Sequence, residues 1–198
     1  MRKTILNLVF CAAAALACAA PAFAAPAQVI IIRHAEKQEY GNQLSEKGYR
    51  RADALVKFFL SVPAVTGYGT PVAIYAAAPK NEDSSIRAIQ TVKPLARALG
   101  ITLNTGFTRG QAHKLVKDIM ENPKYTGRMV LVSWQHGHIP DIVRELAEYS
   151  SYGPAAQVTL PAVWPDASFD RVWIIDLYRG RVLSFKDIPQ RLLPGDSN

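Results

Sequence analysis

Gln28-Val29-Ile30-Ile31-Ile32-Arg33-His34-Ala35-Glu36 changes character at Arg33. Up to Ile32 the run is almost wholly β-branched, the composition of a strand buried on both faces of a parallel sheet. From Arg33 onward it is charged and bears an imidazole. Chemistry at the carboxyl end of a buried strand is the arrangement of open α/β sheets, whose ligands sit beyond the strand ends.

Reading outward, Ser45 to Leu60 predicts a helix capped by Ser45. Tyr49, Ala52, Leu55, Val56 and Phe59 would form its buried stripe, with Lys47, Arg50, Asp53 and Lys57 opposite. Val72 to Tyr75 predicts a second strand, and Ser84 to Leu99 a second helix. Ile86, Ile89, Leu95 and Leu99 should face inward, Pro94 should kink or restart the helix, and Gly100 should end it. A brief strand follows at Ile101 to Leu103, a helix at Gln111 to Met120, a buried strand at Met129 to Ser133, and a helix from Pro140 to about Glu148. Gly153 to Asp170 holds three prolines and no periodicity, which predicts a long loop. Arg171 to Leu177 and Arg181 to Phe185 flank Tyr178-Arg179-Gly180 as a hairpin, and residues after Ile188 read as coil. The alternation predicts an α/β fold: a three-layer α/β/α sandwich, its central sheet mostly parallel with an antiparallel edge hairpin. Functional groups should then follow Ile32, Tyr75 and Ser133.

The N-terminus has a different logic. Arg2 and Lys3 precede an uncharged, alanine-rich run, and Pro21-Ala22-Phe23-Ala24 supplies small residues for cleavage after Ala24. Residues 1–24 are therefore expected to be a signal peptide, and 25–198 a single domain, exported to the periplasm or secreted. The run is too short and weakly apolar for a membrane anchor, so no transmembrane segment is expected after cleavage. Lipidation of Cys18 is the poorer reading, because in Ala15-Leu16-Ala17 the leucine stands one position late.

Removing 24 of 198 residues leaves 174, and the formal charge falls from +7 to +5 because Arg2 and Lys3 are the charges lost. Cys11 and Cys18 leave as well. A mature chain without cysteine excludes thiolate catalysis and zinc ribbons. A content of 49% hydrophobic and 20% charged residues excludes wholesale disorder. The positive charge suits an anionic partner, but it is spread without a basic aromatic stripe, so nucleic acid is not expected.

Two segments about a hundred residues apart deliver histidine to the same sheet edge: Arg33-His34-Ala35-Glu36-Lys37 and Trp134-Gln135-His136-Gly137-His138. Arg87, early in the second helix, would project there too. Guanidinium groups match phosphate oxygens bidentately, and a neutral imidazole is a competent nucleophile toward phosphorus. A metal site is not expected, since the arginines would repel a cation and no carboxylate completes a ligand set. Strand register favours His136 over His138, which is left as pocket wall or surface. Glu36 would orient the pocket from behind, and His113 reads as an exposed helix residue. Trp134, Trp164 and Trp173 read as packing, with Trp164 also a candidate for the rim.

Arg33-His34-Ala35-Glu36, the Arg87-Ala88-x-x-Thr91 core of Ser84 to Thr91, His136-Gly137 and Leu44-Ser45-Glu46-Lys47-Gly48 together resemble the histidine phosphatase superfamily, also called phosphoglycerate mutase-like, from about Val29 to Phe185. The resemblance implies His34 as phosphorylated nucleophile and Arg33, Arg87 and His136 as its phosphate pocket, with no cofactor and a small phosphorylated substrate. It implies a metal-independent phosphatase of phosphomonoesters or related compounds; the alternatives are a non-catalytic phosphate-recognition module or a mutase-type phosphotransferase. The chain departs from the family at Ala35, where glycine is frequent, and at Pro79 to Asp83, which reads as an insertion. It also departs in its general acid. Asn104 to Lys117 offers Arg109, His113 and Lys114 but no carboxylate, leaving Asp118, Glu82, Asp83 and Asp141 as candidates.

Overall fold

The computed structural model describes residues 25–149 and 158–197. The expected signal peptide, Cys18 and the first part of the 153–170 loop lie outside them. Ile30, Ile31 and Ile32 are wholly buried in β1 (Gln28–Arg33), and each such side chain contributes about 2 kcal/mol by leaving water. β1 lies between β3 (Met129–Trp134), to which it is parallel, and β4 (Arg171–Tyr178), to which it is antiparallel. With β2 (Ala73–Ala76) and β5 (Arg181–Pro189) the strand order is β2-β3-β1-β4-β5.

The helices are α1 (Glu46–Ser61), the short α2 (Pro63–Thr66), α3 (Arg87–Leu99), α4 (Ala112–Glu121) and α5 (Ile139–Tyr149). α1 packs on α3, and α4 on α5. Alternation along the strands assigns the faces. Ser133 Oγ donates to the Ala88 carbonyl on α3, whereas Tyr75, in register with Val132 rather than Ser133, reaches Asp118 on α4. Successive side chains point to opposite faces, so α3 and α4 cover opposite sides and the domain has three layers. β4 and β5 close on Arg179 and Gly180, both at positive φ (52° and 75°), a two-residue turn of the kind that matches strand twist.

Several local expectations fail for identifiable reasons. Tyr49 points outward; its place on the buried side of α1 is taken by Arg51. α3 starts at Arg87 rather than Ser84, because Ser84 is tied into a turn with Asn81. It buries Ala88, Thr91, Val92, Leu95 and Ala96, leaving Ile86, Ile89 and Leu99 only half-buried, and it continues through Pro94 without restarting. Residues 101–103 form no strand. The chain touches β2 through a single bridge, Tyr75 with Asn104, and the segment after β2 through another, Ala78 with Thr108, so the hydrogen bonds a ladder would need are not repeated.

The residues after β5 are coil, as expected, but they are tied to the domain. Asp196 returns to α1, where Arg51, 2% exposed, donates to both Glu36 and Asp196 and to the Gln190 side chain. Ser197 N–H meets the Asp170 carboxylate, so the tail also holds the segment before β4. Burial pushes the Asp196 carboxyl up, but hydrogen bonds from Arg51 and from the Leu193 and Leu192 N–H groups outweigh it and bring it down to about 2. Removing one partner strands the other buried charges, so Asp196→Ala should lower the unfolding free energy by about 3 kcal/mol at neutral pH in urea titrations. A depressed carboxyl pKa stabilises above its unfolded value and loses that contribution on acidification, so the gap should narrow as the pH falls from about 4 toward 2. A variant as stable as the parent at pH 7 would show that the clasp holds nothing.

Candidate functional site

Arg33 ends β1 in register with Trp134 on β3, and Ala76 ends β2 in register with Ser133. The ladder runs on past the strands: His34 N–H donates to the Trp134 carbonyl at 2.9 Å, and Ala77 N–H to that of Ser133 at 3.1 Å. Three parallel strands therefore finish side by side. His34, Ala77, Ala78 and Gln135 line one cavity of about 60 Å³ together with Lys80, Ser84, Ser85, Arg87, Ala88 and Arg109.

His34 is 5% exposed. Its Nδ1 lies 2.8 Å from the Ala35 carbonyl oxygen, which can only accept, so the ring proton sits on Nδ1 and Nε2 keeps its lone pair. Burial lowers the imidazole to about pKa 4, and although the Ala35 bond opposes this, the positive fields of Arg33 and Arg87 and that of His136 add to the lowering. At neutral pH the ring is uncharged and basic at Nε2. The following loop is fixed from two sides. Thr91 Oγ1 accepts from Ala35 N–H and donates to the Arg87 carbonyl, both at 2.8 Å. On the other side Gly48 approaches so closely that a Cβ there would meet the Glu36 carbonyl at 2.3 Å.

Arg87 shares the cavity with His34, its Nε donating to the Gln43 carbonyl at 2.9 Å and Nη2 to that of Gly41. Arg33 and His136 stand beside the cavity rather than in its lining, both engaged by residues 166–169. The Arg33 guanidinium donates to the Asp166 and Ser168 carbonyls and lies 3.8 Å over the Phe169 ring. Burial brings it down to about pKa 10, opposed by Asp166 and Glu36. His136 Nε2 lies 3.3 Å from Asp166 Oδ1. Arg33 Nε and His136 Nδ1 are buried and have no hydrogen-bond partner among the described residues. Burial, and after it Arg33, also lower His136 against the raising effect of Asp166.

The remaining sequence candidates fall away from this cluster. Glu36 turns to Arg51 and Lys47, behind the loop that carries His34. His138 pairs with Asp141, and His113 with Glu145 at the surface. Trp164 is 1% exposed and stacks on Trp173, so it is core and not rim. Of the carboxylates, Asp118 is held by Tyr75 on the sheet face opposite Ala88, and Asp141 is bound to Arg144. The carboxylate that meets a site histidine is Asp166. Nothing local in the sequence marks it: it sits in an aperiodic, proline-rich loop that only tertiary folding brings back over β1. Lys80, like Asp166, has no local signal, and the single bridge between Ala78 and Thr108 brings it to the same cavity as Arg109. Among the described residues, no three His, Cys, Asp or Glu side chains form a ligand set for a metal ion, and no helix is long and apolar enough to cross a membrane.

No family model and no curated protein matches the sequence. Solved structures do. SixA from Agrobacterium tumefaciens, assigned as a phosphohistidine phosphatase, aligns with TM-score 0.50 at 17% identity, over 82% of this chain and 96% of that one. The protein histidine phosphatase SixA complexed with tungstate aligns with TM-score 0.50 at 15% identity, over 82% and 97%. A phosphoglycerate mutase from Plasmodium falciparum gives 0.48 at 14%, over 86% and 96%. The two SixA alignments show that the chain has the histidine phosphatase, phosphoglycerate mutase-like fold.

The His34 electrostatics give a direct test. In ¹³C- or ¹⁵N-labelled protein its imidazole should titrate near pH 4, and Arg87→Met should move that midpoint upward, because losing a nearby positive charge favours the imidazolium. A midpoint at or above the ordinary 6.5 would contradict the burial and charge described here.

Proposed function

On this fold we propose that the chain is an exported, metal-independent phosphatase that hydrolyses phosphomonoesters or related phosphorylated compounds through a phosphohistidine on His34. The observation that carries the reading is the buried, uncharged His34, its Nε2 lone pair free, on a cavity shared with the Arg87 guanidinium. Nε2 attacks phosphorus as the ester P–O bond breaks, and Arg33, Arg87 and His136 hold the equatorial oxygens, whose charge such donors stabilise in the transition state. Asp166, within reach of His136, is the carboxylate this reading assigns to protonating the leaving oxygen. In the second half Asp166 takes the proton of a water that attacks phosphorus. The N–P bond breaks, phosphate departs and neutral His34 returns.

Brief incubation with a ³²P-labelled phosphomonoester should leave acid-labile, base-stable label on the protein, absent from His34→Ala. p-Nitrophenyl phosphate turnover should fall about a thousandfold in that variant and be unaffected by EDTA. Label that persists without His34 defeats the mechanism. Tight phosphate binding without turnover would instead mark a recognition module. Asp166→Asn should slow alkyl phosphates by about a hundredfold but p-nitrophenyl phosphate much less, because nitrophenolate leaves without a proton. Equal losses on both would remove Asp166 from the acid role. Export is supported by the pattern of residues 1–24, and the secreted or periplasmic protein should begin at Ala25; a retained Met1 in the exported product overturns that part.

A further inference from the structure

Arg51 on α1 is buried, and every N–H of its guanidinium is engaged. Nε and Nη2 donate to the Glu36 carboxylate at 3.0 and 2.8 Å, Nη1 and Nη2 to that of Asp196 at 2.9 and 2.6 Å, and Nη1 to the Gln190 side-chain oxygen at 3.1 Å. Asp196 is itself fixed, since its Oδ2 accepts from the Leu192 and Leu193 N–H groups at 2.8 and 3.0 Å. Its neighbour Ser197 donates N–H to the Asp170 carboxylate, and Gln190 donates N–H to the Asp170 carbonyl. Glu36 stands two residues after His34, and Asp170 directly follows the 166–169 segment that engages Arg33 and His136. Residues 190–197 therefore hold both the loop of the proposed nucleophile and the segment of the proposed acid.

Stability alone does not call for this arrangement. Taking three charged groups out of water is costly, and exchanging a buried ion pair for apolar residues of similar volume is often neutral or stabilising. What a guanidinium fork adds is direction, because it meets carboxylates at set angles and so fixes the backbone that carries them. Neither Arg51 nor Asp196 lines the cavity of His34. We infer that the two are positioning residues for the reaction: acting through Glu36 and Asp170, they set the His34 imidazole and the Asp166 carboxylate at the separation that phosphoryl transfer needs. The kinetic consequence rests on the phosphatase reading; the positional one does not.

Asp196→Ala is to be measured where circular dichroism shows it folded, beside Asp196→Asn, a milder change that keeps an acceptor for the Leu192 and Leu193 N–H groups. kcat for p-nitrophenyl phosphate should fall about a hundredfold in the alanine variant, the cost of misplacing a reacting group by about 1 Å, and less in the asparagine variant. The inhibition constant of inorganic phosphate should stay close to the parent's. A second readout needs no turnover. Loosening the loop lets water reach the His34 ring, so its NMR titration midpoint should rise from about 4 toward the ordinary 6.5. Loss of the Asp196 charge by itself would move the midpoint the other way, because a nearby carboxylate favours the imidazolium. Arg33, Arg87, His136, Lys80 and Arg109, which face the ring or line its cavity, are unaltered in the variants. Asp176→Ala is the control. It removes a buried carboxylate bonded to Gln28, Ser184 and Lys186 at the opposite end of β1 from His34, and so costs stability without touching the loop. A midpoint that stays near 4 in both Asp196 variants overturns the inference whether or not the protein turns over any ester. So does a folded Asp196→Ala with the parent's kcat, or an Asp176→Ala that shifts His34 as far. Should the parent show no turnover, the phosphatase reading fails and the midpoint still decides the positional claim.

Discussion

The hydrogen bond from His34 N–H to the Trp134 carbonyl carries the β1–β3 ladder one residue beyond the strand, and the site depends on it. In a parallel pair the bonds fix register as well as distance. One further bond therefore sets His34 level with Gln135 and His136, whatever the hundred intervening residues do. The backbone that follows is then given no freedom: Thr91 holds Ala35 from α3, α1 closes on the Glu36 carbonyl through the side-chain-free Gly48, and Arg51 clasps the Glu36 carboxylate to the C-terminal tail. A side chain held this firmly needs little reorganisation, which suits the role of nucleophile proposed for His34.

That position has an electrostatic consequence. Burial is the main reason His34 stays uncharged, and the two arginines and second imidazole around it add to the effect, because protonating it would put another positive charge among those already present. In the proposed reaction, the same arrangement that would attract an oxyanion keeps the His34 imidazole unprotonated. Arg33 and His136 each retain a buried nitrogen without a partner among the described residues, and both lean on the 166–169 segment. Unpaired buried donors are costly, and an oxyanion beside the Arg33 guanidinium is a species that would satisfy its free Nε–H.

Much of this was legible in the sequence, for reasons that can be named. The strands were visible because each central one is buried on both faces and must be β-branched or aliphatic along its whole length, as Val29 to Ile32 and Val130 to Val132 are. Arg33, His34 and His136 could be placed at one sheet edge because they directly follow those runs, where open α/β sheets hold their ligands. What periodicity could not show depends on contacts between distant segments. Nothing in the helical pattern of α1 marks Arg51 as buried; its partner Asp196 comes from 145 residues away. Asp166, Lys80 and Arg109 lie in stretches with no repeating pattern, and the 101–103 segment had strand-like residues but only one-residue bridges to make.

In the proposed reaction, groups from the ends of β1 and β3 and the start of α3 act on one oxyanion. Crystals of the mature protein soaked in vanadate test this most directly, since vanadium takes the five-coordinate geometry of a phosphoryl group in transfer. The account predicts vanadium bonded to His34 Nε2, its equatorial oxygens held by Arg33, Arg87 and His136, with Arg33 and His136 released from the 166–169 segment. Vanadate bound elsewhere, or in the cavity with His34 Nε2 still free and Arg33 still on Phe169, would contradict it.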